Sequence, residues 1–282
     1  MAIPWRRLLV IPVAAAAVAS PLAAQTRPLR TADPDPIPHG RLAVEMGIEW
    51  LDEVAFPLSG LEGDLLRAPA VAFRFGLGGL AEFQVAGGHD LLFIDDRRPA
   101  PFADMIHVDG DVAHDIYDPV VATKLRLQRE TPRLPSMGLR VATRLPSASN
   151  KSGLGNDTTD FFLWVLAGKT LGGTRLLANL GLGVLSVPTR GDRQKDVLMY
   201  GLAADRPIGE RWSVGLEVNG RTDRSSGEPP EGTEDMGQAR LGARWIAGTI
   251  ALDGALIVGL HAPEPDVGAT VGMSWLMHAI PE

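Results

Sequence analysis

From residue 41 onward the chain alternates apolar with polar or small residues at a period of two. Leu42, Val44, Met46, Ile48 and Trp50 share one face, while Ala43, Glu45, Gly47 and Glu49 share the other. Trp212, Val214, Leu216 and Val218 likewise oppose Ser213, Gly215, Glu217 and Asn219. Near the end, Val267, Ala269, Val271, Met273 and Trp275 oppose Gly268, Thr270, Gly272 and Ser274. Successive side chains of a strand point to opposite faces, so each stretch predicts a strand with one greasy and one polar face.

Twelve such segments are expected, near 41–51, 68–77, 80–94, 119–129, 136–146, 158–168, 174–187, 195–205, 211–221, 236–246, 249–260 and 266–277. Several reach about 10–12 residues, the length a tilted strand needs to cross a bilayer. The pattern is weakest over 158–168, where Phe161, Phe162, Leu163, Trp164, Val165 and Leu166 run apolar without alternation.

The connections carry an independent signal. Tight joins (Gly78-Gly79, 130–135, 169–173, 206–210, Ala247-Gly248) alternate with longer polar ones at 52–67, 95–118, 147–157 and 222–235, and with shorter members of that set at 188–194 and 261–265. Outer-membrane barrels have short periplasmic turns, longer outer loops and an even strand number. The expected fold is therefore all-β, an antiparallel transmembrane β-barrel of about 12 strands.

If the greasy faces meet lipid, the other faces line a lumen. The candidate lumen residues are Glu45, Glu49, Arg74, Glu82, Gln84, Lys124, Arg126, Arg140, Arg144, Asn179, Glu217, Arg240, Arg244 and Asp253. Both charge signs occur, so Arg–carboxylate ladders across the lumen are expected. Lumen glycines at 47, 181, 183, 215, 242, 268 and 272 leave room and favour a narrow path over a solid plug. Trp50, Trp212, Trp245 and Trp275 lie near strand ends on the apolar face and form the expected aromatic girdle, Trp50 at the outer rim and the others at the periplasmic rim.

The start of the chain reads differently. Arg6 and Arg7 precede an apolar run from Leu8 to Val18, and Leu22-Ala23-Ala24 supplies the small residues of a cleavage site. Residues 1–24 are thus expected to be a signal peptide, cleaved near Ala24, and the mature protein is expected in the outer membrane of a Gram-negative bacterium. Residues 25–40, with Pro28, Pro34, Pro36 and Pro38 among acidic residues, read as a flexible, exposed lead-in to the barrel at 41–282.

Composition narrows the chemistry. The 282 residues include no cysteine, which excludes disulfides, thiolate metal sites and a thiol nucleophile. A net charge of −7 argues against nucleic-acid binding. Asp109, Asp111, His114, Asp115 and Asp118 form the densest acidic cluster, but without the Ca²⁺-loop pattern of ligands it reads as a solvated outer loop. The six histidines give no HExxH pair and no triad, so no catalytic residue, metal or cofactor is expected.

Leu145-Pro146-Ser147, the loop ending Gly153-Leu154-Gly155, the turn Lys169-Thr170-Leu171-Gly172-Gly173 and the following Asn179-Leu180-Gly181 form a recognisable series. Together with 214–220, Leu252-Asp253-Gly254-Ala255 and Ala262-Pro263, it resembles the meta-pathway phenol-degradation family of outer-membrane barrels, over residues 110–277. Ser147-Ala148 stands where that family usually has Thr-Gly, and the chain ends Ile280-Pro281-Glu282 rather than on an aromatic residue. The resemblance implies uptake of aromatic or other small apolar compounds. The expected function is a porin-like channel for passive entry of small, hydrophobic or aromatic molecules, with outer-membrane lipid and solute as partners and the chain a monomer. A non-conducting barrel whose loops 95–118 and 222–235 bind a partner, and a membrane-embedded hydrolase, are the alternatives.

Overall fold

The computed structural model describes residues 27–191, 193–223 and 229–279. The proposed signal peptide lies outside the described residues. Twelve strands, all among the described residues, close into one antiparallel barrel. They are β1 (Arg41–Phe56), β2 (Leu61–Leu77), β3 (Ala81–Arg97), β4 (Val112–Gln128), β5 (Ser136–Arg144), β6 (Asp160–Leu171), β7 (Thr174–Ser186), β8 (Gln194–Ile208), β9 (Trp212–Thr222), β10 (Met236–Ala247), β11 (Ile250–Gly259) and β12 (Val267–His278). Each pairs with its sequence neighbours, and β1 seals against β12 in an unbroken register from Arg41↔His278 to Leu51↔Gly268. Closure leaves no edge strand, which a lipid-embedded sheet requires.

The greasy faces point outward as expected. Leu216 is 58% exposed, and Leu180, Leu202, Leu241, Leu256 and Val271 are exposed beside it on the same wall. In water such a surface would be an aggregation hazard; in lipid it is the solvated state. Leu216→Arg is expected to lower folding free energy by about 2–4 kcal/mol in phospholipid vesicles. Denaturant titration measures this, and a cost near zero would place that face in water. Trp50, Trp212 and Trp275 are exposed on this surface. Trp275 pairs with Val44, and Trp50 lies six residues farther along β1, about 20 Å away at strand rise. The two rims of an apolar band are so marked. Trp245 faces Trp212 across β9 and β10, although it is only half-buried rather than fully exposed.

Short connections gather at one end, here the turn end, with the start of β1 and the close of β12. One of the two tightest is Gly172-Gly173, with φ of 55° and 80° between the closing pair Leu171↔Thr174. Two consecutive residues at positive φ match the twist of a two-residue hairpin, and glycine adopts them without Cβ strain.

At the other end, the loop end, β1 to β4 run farther than the alternation indicated. Residues 52–56, 61–67, 95–97 and 112–118, expected as loop, continue the ladders. Their inward side chains are apolar: Leu51, Val54, Leu61, Leu65, Leu92, Ile94, Ala113 and Ile257 make one buried cluster, with Ile106 and Leu154 from loops packed against it. The acidic loop cluster is also put to use. Asp118 accepts from the backbone N–H groups of Ser147 and Ala148 at 2.9 and 2.8 Å, and Asp115 accepts from Ser149 N–H at 2.8 Å. These carboxylates tie the 145–159 loop to β4, and no metal-holding group of acids or histidines occurs among the described residues.

The largest departure concerns the lead-in. Most of residues 27–37 are not exposed but lie inside the barrel, with Leu29, Thr31, Ala32, Asp33 and Ile37 buried, while Arg30, Pro38 and His39 stay exposed. Prolines keep this segment out of the ladders, yet its polar backbone is satisfied by lumen side chains instead of water. The segment makes one circuit of the inner wall. Followed back from Gly40, it passes Gly76 on β2, Glu82 on β3, Lys124 on β4, Gly138 on β5, Arg175 on β7, Glu217 on β9, Gly242 on β10 and Asp253 on β11, and ends at Gly272 on β12.

Candidate lumen site

Two tiers fill the lumen. In the lower one, nearer the turns, the wall supplies charges and the N-terminal segment supplies backbone. Glu217 accepts the N–H groups of both Arg30 and Thr31 at 2.7 Å, and Glu82 accepts that of Ile37 at 2.8 Å. Lys124 donates to the Asp35 carbonyl at 2.9 Å, and Arg244 donates to the Arg27 carbonyl. Side-chain pairs complete the set: Arg27–Asp253 at 3.1 Å, Arg30–Glu49 at 3.0 Å and Arg126–Asp35 at 3.0 Å. The Asn179 amide, turned with its oxygen toward the segment, accepts from the Ala32 N–H at 2.8 Å and donates to the Ala32 carbonyl at 3.0 Å.

At the turn end Arg175 acts as a latch. Its guanidinium donates to both Asp33 oxygens at 2.8 Å, to Asp35 at 3.1 Å and to Glu130 at 2.6 Å. Burial raises the Glu130 carboxyl, but the Thr170 N–H and hydroxyl, Lys169 and Arg175 outweigh it and hold the acid below its usual range.

All the candidate lumen residues point inward. Glu45, Glu49, Arg74, Glu82, Lys124, Glu217, Arg240, Arg244 and Asp253 are buried, while Arg126, Arg140, Arg144 and Asn179 are half-buried. The ladders are present: Arg74 bonds Glu45, Arg240 bonds Glu49 at 3.0 Å, and Lys124 meets Glu82 at 3.2 Å. The lumen glycines were expected to leave room for a narrow path, and at four of them that room is taken by the segment. A Cβ at Gly47 or Gly272 would strike the Arg27 guanidinium, one at Gly215 the Leu29 side chain, and one at Gly242 the Pro28 ring. These glycines make room for the segment, not for an open passage.

The upper tier is a cavity of about 480 Å³ at the loop end, above residues 30–32 of the segment. Arg67, Arg140, Arg144 and Arg221 reach it from β2, β5 and β9. Arg67 forks onto Asp90 at 2.7 and 2.8 Å and lies 4.1 Å over the Tyr117 ring. Arg144 pairs with Asp160, and Arg221 holds the Glu234 carbonyl at 2.9 Å. Phe162 and Trp164 of β6 form the facing wall, their rings 5.3 Å apart and 28° from parallel.

The sequence reasoning did not single out Arg175, Arg67, Arg221, Phe162 or Trp164 as lumen groups. Arg175 has the same parity as Asn179 and was findable. The aromatic pair explains the broken alternation over 158–168: Phe161, Leu163 and Val165 face lipid, while Phe162, Trp164 and Leu166 face an apolar stretch of lumen.

No family model matches the chain, and no curated protein matches it. Solved structures do. An outer membrane channel from Pseudomonas putida F1 aligns with a TM-score of 0.59 at 13% identity, over 88% of this chain and 100% of that one. The NanC porin aligns at 0.51 with 8% identity, over 83% of this chain and 98% of its own. At such identities the likeness is one of architecture: this chain has the fold of an outer-membrane channel barrel.

Proposed function

We propose that this protein is a monomeric channel in the outer membrane of a Gram-negative bacterium, passing small molecules, hydrophobic and aromatic ones among them, by diffusion and without catalysis. The observation that carries this reading is the combination of a lipid-solvated exterior with a charged interior holding a cavity of about 480 Å³. A solute path through the membrane needs a polar lumen, and the cavity leaves room within it. The short turns then face the periplasm, and the N-terminal segment narrows the path from that side.

Purified protein in liposomes is the test. Uptake of a small sugar or of benzyl alcohol is expected to exceed that of protein-free vesicles, with discrete current steps in planar bilayers. A heat-dependent shift on gels confirms that the tested material is folded. The circuit of residues 27–39 also favours a second reading, a sealed barrel whose loops 95–118 and 222–235 engage a partner. Folded protein that gives neither flux nor current steps would overturn the channel and leave that alternative.

A further inference from the structure

The cations and acids around the loop-end cavity are not evenly matched. Each acid there is already engaged within the protein: Asp90 by Arg67, Asp118 by the 147–148 backbone, Glu234 by the Gly232 N–H at 2.7 Å, and Glu264 by Gln238. Two arginines at the cavity, Arg140 and Arg221, have no carboxylate ion pair among the described residues, and Arg221 is held by the Glu234 and Gly232 carbonyls at 2.9 and 3.4 Å. The Arg140 Nε–H donates to Gln84 at 2.9 Å. Arg140 lines the cavity, and the two terminal nitrogens of its fork make no hydrogen bond among the described residues.

What lies beneath that fork is flat and apolar. The Arg140 guanidinium sits 4.8 Å over the Trp164 ring, and Phe162 continues the surface. The wall has been cut away to seat these rings. A Cβ at Gly181 would come within 2.5 Å of the Trp164 indole, and one at Gly183 within 3.3 Å of the Phe162 ring. A spare cationic fork above a planar aromatic shelf is complementary to a molecule with a carboxylate at one end and a ring behind it.

Resting on the channel reading, we propose that this cavity binds aromatic monocarboxylates, with Arg140 taking the carboxylate and Phe162 and Trp164 taking the ring. The cavity volume is that of a small-molecule site, and the loop-end position makes it the first station on the way in.

The test follows tryptophan fluorescence of the folded protein in detergent during titration with benzoate, and with benzamide as the neutral isostere. Saturable quenching by benzoate, at least about 10-fold weaker for benzamide, is expected. Trp164→Phe should remove the signal, and Arg140→Gln should weaken benzoate binding about 10-fold or more while leaving benzamide unchanged. Equal binding of the two ligands to the wild-type chain, or undiminished benzoate binding by folded Arg140→Gln, overturns the proposal. Should Arg140→Gln not fold, the wild-type comparison of the two ligands decides. Liposome flux separates this proposal from the reading beneath it. Flux without benzoate binding removes the site and keeps the channel, whereas binding without flux removes the channel and keeps the site.

Discussion

Joining residue 26 directly to Gly40 is expected to raise single-channel conductance several-fold. The deleted residues make a full circuit of the lower lumen, and the wall glycines at 47, 215, 242 and 272 are filled by Arg27, Leu29 and Pro28. Without them the glycine-lined wall of a twelve-stranded barrel faces water, and such a barrel is wider than the eight-stranded kind that side chains fill. The cost to folding should be modest. Glu217, Asp253 and Arg175 lose partners, but water enters as the segment leaves, so none remains buried and unpaired. Arg175→Ala, which cuts the segment's bonds to Asp33 and Asp35, should give a smaller rise in the same direction. Conductance unchanged by the deletion, in protein that still shifts on heating, would mean that the segment does not limit the path.

Glu82→Ala is expected to cost about 3–5 kcal/mol of folding free energy, the largest stability effect of any single lumen change. Glu82 and Lys124 are both fully enclosed and meet at 3.2 Å, and Glu82 also accepts from Ile37 and Gln84 at 2.8 and 2.7 Å. Truncating the acid strands a buried ammonium, whose desolvation is no longer offset. Replacing both partners by methionine removes the stranded charge and should recover more than half of that loss. Denaturant titration in vesicles measures all three chains. A Glu82→Ala cost below about 1 kcal/mol would mean that water reaches the pair.

Period-two alternation located every strand because a lipid-facing wall imposes one sign of hydrophobicity on every second residue. Its failures have local causes. The ladders slip at neighbouring places on adjacent strands, between Gly47 and Glu49, Arg67 and Ala70, and Ala86 and Gly88, where Pro69 and Pro119 cannot donate. Beyond those slips, Leu61, Leu65, Leu92 and Ile94 turn apolar side chains inward, so the outer halves of β2 and β3 lack a polar face to alternate with. The lead-in was misplaced for another reason. Proline and aspartate signal a segment that will not join a sheet, and they are silent on where it goes. Its partners are as far off as Thr270, 243 residues from Arg27, and only the closed barrel brings them to it.

The path of that segment also constrains how the molecule is made. Arg27 bonds Asp253 and Thr270 while lying across Gly47 and Gly272, so it spans the join between the first and last strands from inside. A tube zipped shut beforehand would have to be threaded by a proline-stiffened chain hanging from its own first strand. Enclosing the segment as the last strand arrives avoids that passage. The segment is then a core around which the wall is wrapped.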